Sequence, residues 1–214
     1  MTYIEQFFLI ATVHFLAVAS PGPDFAIILK QSIRYDRRTA IFTSFGIATG
    51  ILLHVTYSLV GIGLLIASDE RLFTALKYLA ASYFLYIAWH SLRAKKPETI
   101  SDDSQPSTNP TDEIPSPKKA FFTGFLINGL NVKATLFFVS LFSVIIIPET
   151  PFSIKLSYGL YMTVATAAWF VLLSYLLTQS KVRSLLQVKG YLLDRVMGAV
   201  LLVLAIQLVL SDFQ

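Results

Sequence analysis

Long apolar runs recur along this chain, and they constrain its fold more than any other feature of the sequence. Hydrophobic residues make up 55% of its 214 positions and charged residues only 14%, and runs of about 18 or more apolar residues are typical of transmembrane helices. The chain is therefore predicted to be an all-α polytopic membrane protein with six transmembrane helices. Hydropathy places the six spans near residues 4–29, 40–67, 72–92, 120–147, 153–178 and 192–210.

The composition also excludes several kinds of chemistry. No cysteine is present, so disulfides, thiolate metal sites and thiol redox transfer are ruled out. The net charge of +4 comes from loop Lys and Arg residues distributed by membrane topology, and it does not indicate a nucleic-acid partner. Ala17-Val18-Ala19 resembles a signal-peptide cleavage site, but the residues before Phe7 contain Glu5 and no Lys or Arg. The first run is therefore predicted to remain as a span.

The basic residues set the predicted orientation in the membrane. All but four of the 17 Lys and Arg residues lie in or beside loops 1–2, 3–4 and 5–6. The four exceptions are Arg71, Lys77, Lys133 and Lys155. Because cytoplasmic loops carry an excess of Lys and Arg, these three loops are predicted to face the cytoplasm and both termini to face outward.

A polar loop divides the chain into two halves. Residues 94–119 hold five of the nine prolines and five acidic residues, and they cannot bury enough apolar surface to fold, so a disordered cytoplasmic loop is predicted. It separates a first three-helix repeat, residues 1–93, from a second, residues 120–214. An odd number of spans per half inserts the halves in opposite orientations. Two inverted repeats are therefore predicted, with the first and fourth helices broken and a binding site between the halves.

The stretch Ser20-Pro21-Gly22-Pro23-Asp24-Phe25 interrupts the first span. Proline lacks an N–H group and clashes with the preceding helical turn, and glycine permits unusual backbone angles. The helix is therefore predicted to break here and to restart at Phe25. A broken backbone within a membrane must be buried in protein or line a wet cavity, and an unpaired carboxylate is costly there. Asp24 is interpreted as a functional residue, with a helix N-cap as the alternative.

The stretch Asn128-Gly129-Leu130-Asn131-Val132-Lys133-Ala134 is the counterpart in the fourth span. It places two amides and an ammonium group in an otherwise apolar run. Lys133 lies 14 residues beyond Lys119, about 21 Å along a helix, which is too far for easy snorkelling to the cytoplasmic side. An internal role is therefore favoured, and Asp24 and Lys133 are predicted to pair with each other when no ligand is bound.

Other residues within the spans carry weaker signals. His14 and His54 are interpreted as satisfied bundle residues, because they lack the spacing of metal ligands. Gly46 and Gly50, four residues apart, are typical of close helix packing, either within the bundle or across a homodimer.

These features together resemble the LysE/RhtB superfamily of amino-acid exporters, over nearly the whole chain. The resemblance rests on Val13-His14, Ser20-Pro21-Gly22-Pro23-Asp24-Phe25, the basic loop after Gln31, Gly46-x-x-x-Gly50 and the Asn/Lys stretch of span 4. The first span is most similar to the bacterial threonine exporters. The resemblance implies proton-driven export of amino acids across the bacterial inner membrane, with no cofactor. The family usually has Asn-Pro-Lys where this chain has Asn131-Val132-Lys133, so the second break is expected to be milder.

One mechanism follows from the resemblance and the interrupted spans. A zwitterionic amino acid binds between the halves, with its carboxylate at Lys133 and helix N–H groups and its ammonium at Asp24 and freed carbonyls. Proton uptake by Asp24 then permits release. Threonine, homoserine, other neutral amino acids and lysine all remain open as substrates. The candidate substrate-binding residues are Pro21, Gly22, Pro23, Asp24, Gly46, Gly50, Asn128, Asn131 and Lys133.

Other functions have less support. Export of another small solute or a metal cation is the main alternative, and the lack of Cys and of clustered His or acidic residues counts against a soft metal. An enzyme is disfavoured because the spans hold no nucleophile–base pair and no paired carboxylates. A scaffold without transport leaves the cost of Asp24 and Lys133 unexplained. The predicted partners are an amino acid, protons and the lipid bilayer, with a homodimer possible and no nucleic acid.

Overall fold

The protein is all-helical in the part of the chain that the computed structural model describes, residues 2–68, 70–95, 114–145, 149–177 and 179–211. This confirms the all-α part of the prediction. Residues 96–113, most of the predicted disordered loop, lie outside the described residues. The helices of the described residues are α1 Tyr3–Ala19, α2 Pro23–Arg34, α3 Arg37–Ser68, α4 Glu70–Leu92, α5 Pro117–Gly129, α6 Val132–Ile145, α7 Phe152–Leu176 and α8 Ser180–Ser211.

Some of these helices are long and apolar enough to cross a membrane. Arg37–Gly61 and Phe152–Leu176 qualify as single helices, each with a mean hydropathy of 1.5. Two bent pairs, α1 with α2 and α5 with α6, qualify when each pair is taken as one span. The described residues thus provide up to four candidate spans by length and composition. Helices α4 and α8 cover the other two predicted spans but are not among these candidates, so the six-span architecture stays a prediction.

Two helices extend beyond the predicted spans on the basic side of the chain. Helix α8 begins at Ser180 rather than near residue 192, and α2 continues to Arg34 rather than ending near residue 29. Neither extension contains a proline, and a helix that has nucleated propagates readily through such sequence. Hydropathy marks only the apolar part of each helix and therefore predicts both to be too short.

The first and fourth predicted spans are both bent. The first break, Ser20–Gly22, separates α1 from α2, which meet at 50°. The second break, Leu130–Asn131, separates α5 from α6 with a bend of 58°. The expectation of a milder second break is wrong. Asn131 starts a new helix without proline, because its Oδ1 accepts hydrogen bonds from the N–H groups of Lys133 and Ala134, at 3.0 and 3.4 Å.

Helices from the two halves pack against each other around an apolar core. Helix α3 lies against α5 and α7, and α4 lies against α6 and α8. The core contains Ile10, Phe84, Leu141, Phe142, Met162 and Leu201, all essentially inaccessible to solvent. Large apolar side chains also cover the outer surface, where Phe8, Leu79, Phe152 and Val164 are 64% to 66% exposed. Such a surface is stable against lipid rather than water.

Glycine allows α3 and α5 to approach each other closely. A Cβ atom at Gly46 would collide with the carbonyl of Phe121 and lie 2.8 Å from the backbone nitrogen of Phe125. A Cβ atom at Gly124 would collide with the carbonyl of Thr43. Gly46 therefore packs within the bundle, which was one of the two packing roles predicted for it.

Replacing Gly46 by alanine is expected to destabilise the protein, because the added methyl group would push α3 away from the α5 backbone. We expect Gly46→Ala to lower the free energy of unfolding by about 1–3 kcal/mol, seen as a lower thermal midpoint in detergent. Gly61→Ala is the matched control, because a Cβ atom there meets nothing within 4 Å and alanine favours the helix. Equal midpoints for the two variants would contradict this packing.

Candidate functional site

A cavity lies where the two breaks meet. Counted together with the open space at its mouth, its volume is about 600 Å³. Six of the nine predicted substrate-binding residues line it, namely Gly22, Pro23, Asp24, Asn128, Asn131 and Lys133. The other three, Pro21, Gly46 and Gly50, are not among its lining residues. No group of three His, Cys, Asp or Glu side chains is arranged to hold a metal ion within the described ranges.

The first break leaves backbone donors at the start of α2 without a cap. Gly22 is the N-cap residue, Pro23 is the first helical residue, and no side chain caps the helix. The helix thus restarts at Pro23 rather than at Phe25, and Asp24 lies in its first turn rather than at the N-cap. The N–H groups of Asp24 and Phe25 have no partner in the helix. Both residues line the cavity.

The end of α1 offers acceptors to the same cavity. The N–H group of Ser20 donates to the carbonyl of Leu16 at 3.0 Å, closing the last bond of the helix. The carbonyls of Ala17 and Val18 come after this bond and have no helical donor, and both residues line the cavity. The hydroxyl of Ser20 donates to Asp194 Oδ1 and so ties the first break to α8.

A hydrogen bond between Asn128 and Asp24 joins the two breaks. Asn128 is fully buried, and its Nδ2 donates to Asp24 Oδ2 at 2.8 Å. Asp24 Oδ1 is buried and has no partner. Lys133 is exposed and lines the cavity, but these two described residues form no ion pair with each other. The carboxylate of Asp24 is therefore held by a neutral amide and not by the ammonium group predicted to pair with it.

Gly50 makes room for the Asn128 side chain. A Cβ atom at Gly50 would lie 2.9 Å from Asn128 Cβ and 3.0 Å from Cγ, closer than non-bonded carbon atoms pack. Gly50 therefore acts on the cavity through Asn128. The Gly46-x-x-x-Gly50 motif predicted close helix packing, and the structure shows that the side chain packed against Gly50 is that of Asn128.

His54 stabilises the backbone at the second break. Its Nε2 lies 2.9 Å from the carbonyl of Asn128, which also accepts from the N–H group of Asn131 at 2.9 Å. Because the carbonyl can only accept, Nε2 carries the proton, and Nδ1 accepts from the hydroxyl of Tyr57. His54 is a satisfied bundle residue, as interpreted from the sequence, and the backbone carbonyl that it binds belongs to the second break. The sequence feature that could have revealed this role is the position of His54 four residues after Gly50, on the same face of α3.

His14 is also placed at the cavity, which the sequence analysis did not assign to it. It is fully buried, it lines the cavity, and its Nε2 lies 3.2 Å from the hydroxyl of Thr166. Its Nδ1 has no protein partner. His14 is therefore only half satisfied, unlike His54.

Apolar outer surfaces, two bent helix pairs and a cavity with polar groups at their breaks are features expected of a membrane protein that binds a solute between its helices. The family described as LysE type translocator matches residues 15–212. The chain belongs to this family, which confirms the resemblance seen in the sequence. Members of this family are translocators rather than enzymes.

Several bacterial proteins are similar to this chain over most of its length. Proteins named threonine efflux protein from Salmonella typhi and Escherichia coli K12 are 26% and 27% identical to this chain over 205 and 206 residues, covering 96% of it and 98% of each relative. A relative named uncharacterized membrane protein YahN, from Escherichia coli K12, is 30% identical over 191 residues, covering 89% of this chain and 82% of the relative. No solved structure matches the chain significantly.

Removing the His54 imidazole is expected to leave the Asn128 carbonyl without its side-chain donor and to loosen the second break. We expect His54→Leu to lower the free energy of unfolding by about 0.5–1.5 kcal/mol, the net contribution of one hydrogen bond, because the Asn128 carbonyl still accepts from the N–H group of Asn131. The measurement is thermal unfolding in detergent. His54→Gln keeps a donor close to the position of Nε2 and should recover part of this loss. Equal loss in both variants would mean that the hydrogen bond does not support the break.

Proposed function

We propose that this protein exports neutral amino acids, with threonine- and homoserine-like substrates favoured, from the bacterial cytoplasm by proton antiport. One observation carries the proposal. Asp24 and Lys133 line the same cavity without pairing with each other, so a carboxylate and an ammonium group are both available to a ligand. A zwitterionic amino acid supplies the two complementary charges, and the relatives named threonine efflux protein favour this class of substrate.

The substrate's ammonium group fits the acceptor side of the cavity. Asp24 Oδ1 is buried without a partner. Ala17 and Val18, whose carbonyls have no helical donor, line the same cavity. A charge-assisted hydrogen bond to the carboxylate would orient the substrate. The ammonium group would in turn satisfy an oxygen that the protein leaves unpaired.

The substrate's carboxylate fits the donor side of the cavity. Lys133 supplies a positive charge, and the start of α2 supplies the N–H groups of Asp24 and Phe25. A helix N-terminus favours an anion through these groups and through its dipole. The start of α6 is less available, because Asn131 already accepts from its N–H groups. The first break therefore supplies most of the backbone contacts in this proposal.

Proton coupling follows when a proton and the substrate compete for Asp24. A protonated carboxyl group carries no charge and holds an ammonium group weakly. Asn128 keeps its hydrogen bond to Oδ2 in either state, since a carboxyl oxygen still accepts. Competition for one group exchanges one substrate for a proton, which is antiport.

The proposed membrane arrangement has six spans in two inverted repeats. Helices α4 and α8 would provide the third and sixth spans, and both termini would lie in the periplasm. The distribution of Lys and Arg supports this orientation, because it places the basic loops in the cytoplasm. Export of a metal cation has weaker support, since Lys133 would repel a cation in the cavity.

Replacing Asp24 by asparagine tests the proposal directly. We expect Asp24→Asn to abolish amino-acid accumulation driven by an imposed pH gradient in proteoliposomes, because the amide neither carries the proton nor attracts the ammonium group. Asp36→Asn is the matched control. Asp36 lies outside the cavity and accepts from the N–H group of Thr39 at 2.7 Å at the start of α3, where asparagine also caps well.

The outcomes of this experiment separate function from folding. Both variants should insert into the membrane and keep the wild-type thermal midpoint within a few degrees. Gradient-driven accumulation by Asp24→Asn at the wild-type rate would remove Asp24 from the mechanism. A wild-type protein that moves no labelled amino acid in a counterflow screen would overturn the proposed function.

Adding a methyl group at Gly50 tests whether the Asn128–Asp24 contact matters for transport. We expect Gly50→Ala to displace Asn128 from Asp24 and to lower amino-acid counterflow by at least about tenfold, because small displacements in a binding site are costly. Gly129→Ala is the matched control next to Asn128, since a Cβ atom there makes only an ordinary contact of 3.6 Å with Leu53. Similar counterflow rates in both variants would count against this contact.

A further inference from the structure

The cavity wall away from the charged groups is apolar. Among its lining residues are Ile51, Ile87, Phe137, Phe138, Phe170 and Met197. Among the described lining residues, Asp24 is the one carboxylate, and the proposed function assigns it to the substrate's α-ammonium group. A second ammonium group, such as that of lysine, would find no acidic partner on this lining. The wall therefore fits an uncharged substrate side chain.

Nearly every other polar side chain on the lining is already engaged. Ser20 donates to Asp194, Asn131 caps α6, and Asn128 donates to Asp24 while packing under Gly50. Asn128 Oδ1 is also buried without a partner, but it faces Gly50. Among the described lining residues, the remaining neutral side chain with an unpaired buried atom is that of His14. Its Nδ1 is buried without a partner, and a buried polar atom left unsatisfied is costly. Because His14 lines the cavity, contact with a bound ligand would explain the unpaired atom.

The His14 ring is held in a fixed orientation. Thr166 on α7 bonds Nε2 at 3.2 Å, and the ring of Phe138 lies 6.0 Å away at an angle of 60°. The ring is anchored on one side by a hydroxyl and flanked on another by an aromatic face. It therefore presents Nδ1 in one direction without a large loss of side-chain entropy on binding.

The chemistry of this anchor favours a hydroxyl group as the ligand. If Thr166 donates to Nε2, then Nδ1 carries the proton and donates; if Thr166 accepts, then Nδ1 accepts. A hydroxyl group both donates and accepts, so it satisfies Nδ1 in either tautomer. A methyl group in the same place satisfies neither.

We propose that His14 is a specificity-determining residue that binds the side-chain hydroxyl of a hydroxy amino acid through Nδ1. This inference rests on the proposed function and adds to it a residue that selects among neutral amino acids. His14 lies six residues before Ser20, about 9 Å along α1. The side chain of the bound amino acid then points from Asp24 along α1 towards His14. A site built to bind a hydroxyl discriminates against the isostere that lacks it, because the protein's own polar atom is left unpaired.

The test compares threonine with valine, which has a methyl group in place of the hydroxyl. Counterflow of each labelled amino acid is measured with the full-length protein in proteoliposomes. The wild type should prefer threonine by about tenfold, the size of one hydrogen bond. His14→Leu should reduce the ratio to about one. His14→Asn places a polar atom near the position of Nδ1 and should restore most of the preference, whereas His14→Gln reaches towards Nε2 and should not.

A histidine outside the cavity provides the matched control. His90 on α4 is exposed, and its Nδ1 bonds the carbonyl of Tyr86 at 2.9 Å, so His90→Leu should leave the threonine-to-valine ratio unchanged. Thermal midpoints identify any variant that does not fold. If a variant does not fold, the wild-type protein alone tests the inference. Equal inhibition of its threonine counterflow by homoserine and by 2-aminopentanoate would overturn the role of His14.

Failure of this inference differs from failure of the proposed function. A wild-type ratio near one, or a ratio unchanged in His14→Leu while amino acids are still transported, overturns the role of His14 and leaves amino-acid export standing. A wild-type protein that moves neither threonine, valine nor any other labelled amino acid overturns both.

Discussion

A helix that is interrupted inside an apolar bundle leaves N–H and C=O groups without helical partners, and each of them must be satisfied nearby. The two breaks of this protein meet that requirement differently. The second break is satisfied by the protein itself, through the side chain of Asn131 and the imidazole of His54. The first break leaves donors at the start of α2 and acceptors at the end of α1 beside a cavity. The satisfied break supports the open one through the hydrogen bond between Asn128 and Asp24.

The two breaks therefore have different roles: the second positions Asn128, and the first would contact the ligand in the proposed function. The side chain of Asn128 packs into the space left by Gly50, and the carbonyl of Asn128 is bonded to His54. Asn128 therefore presents its amide to Asp24 in a fixed position. The second carboxylate oxygen of Asp24 stays unpaired. A rigid neutral partner orients the carboxylate without neutralising it, which is what the proposed binding of a substrate ammonium group requires.

Sequence reasoning predicted the helical class, both interruptions and the presence of Asp24, Asn128 and Lys133 at one place, because proline, glycine and charges are strong local signals in apolar runs. It did not predict which polar groups bond to which. The bond from Asn128 to Asp24 and that from His54 to a backbone carbonyl join residues far apart in the chain. Nor did it predict the sharp second bend, because there the side chain of Asn131 caps a new helix without a proline. The long N-terminal extension of α8 was missed because hydropathy detects lipid contact and not helix propagation.

Helix α3 is continuous from Arg37 to Ser68, and Gly46, Gly50 and His54 follow one another along it at intervals of four residues. All three face α5 or the second break. One inserted residue between Gly50 and His54 would turn the imidazole by about 100° around the helix axis, away from the carbonyl that it holds. The stretch of α3 from Gly46 to His54 thus fixes the register of α3 against α5 and tolerates no change in length.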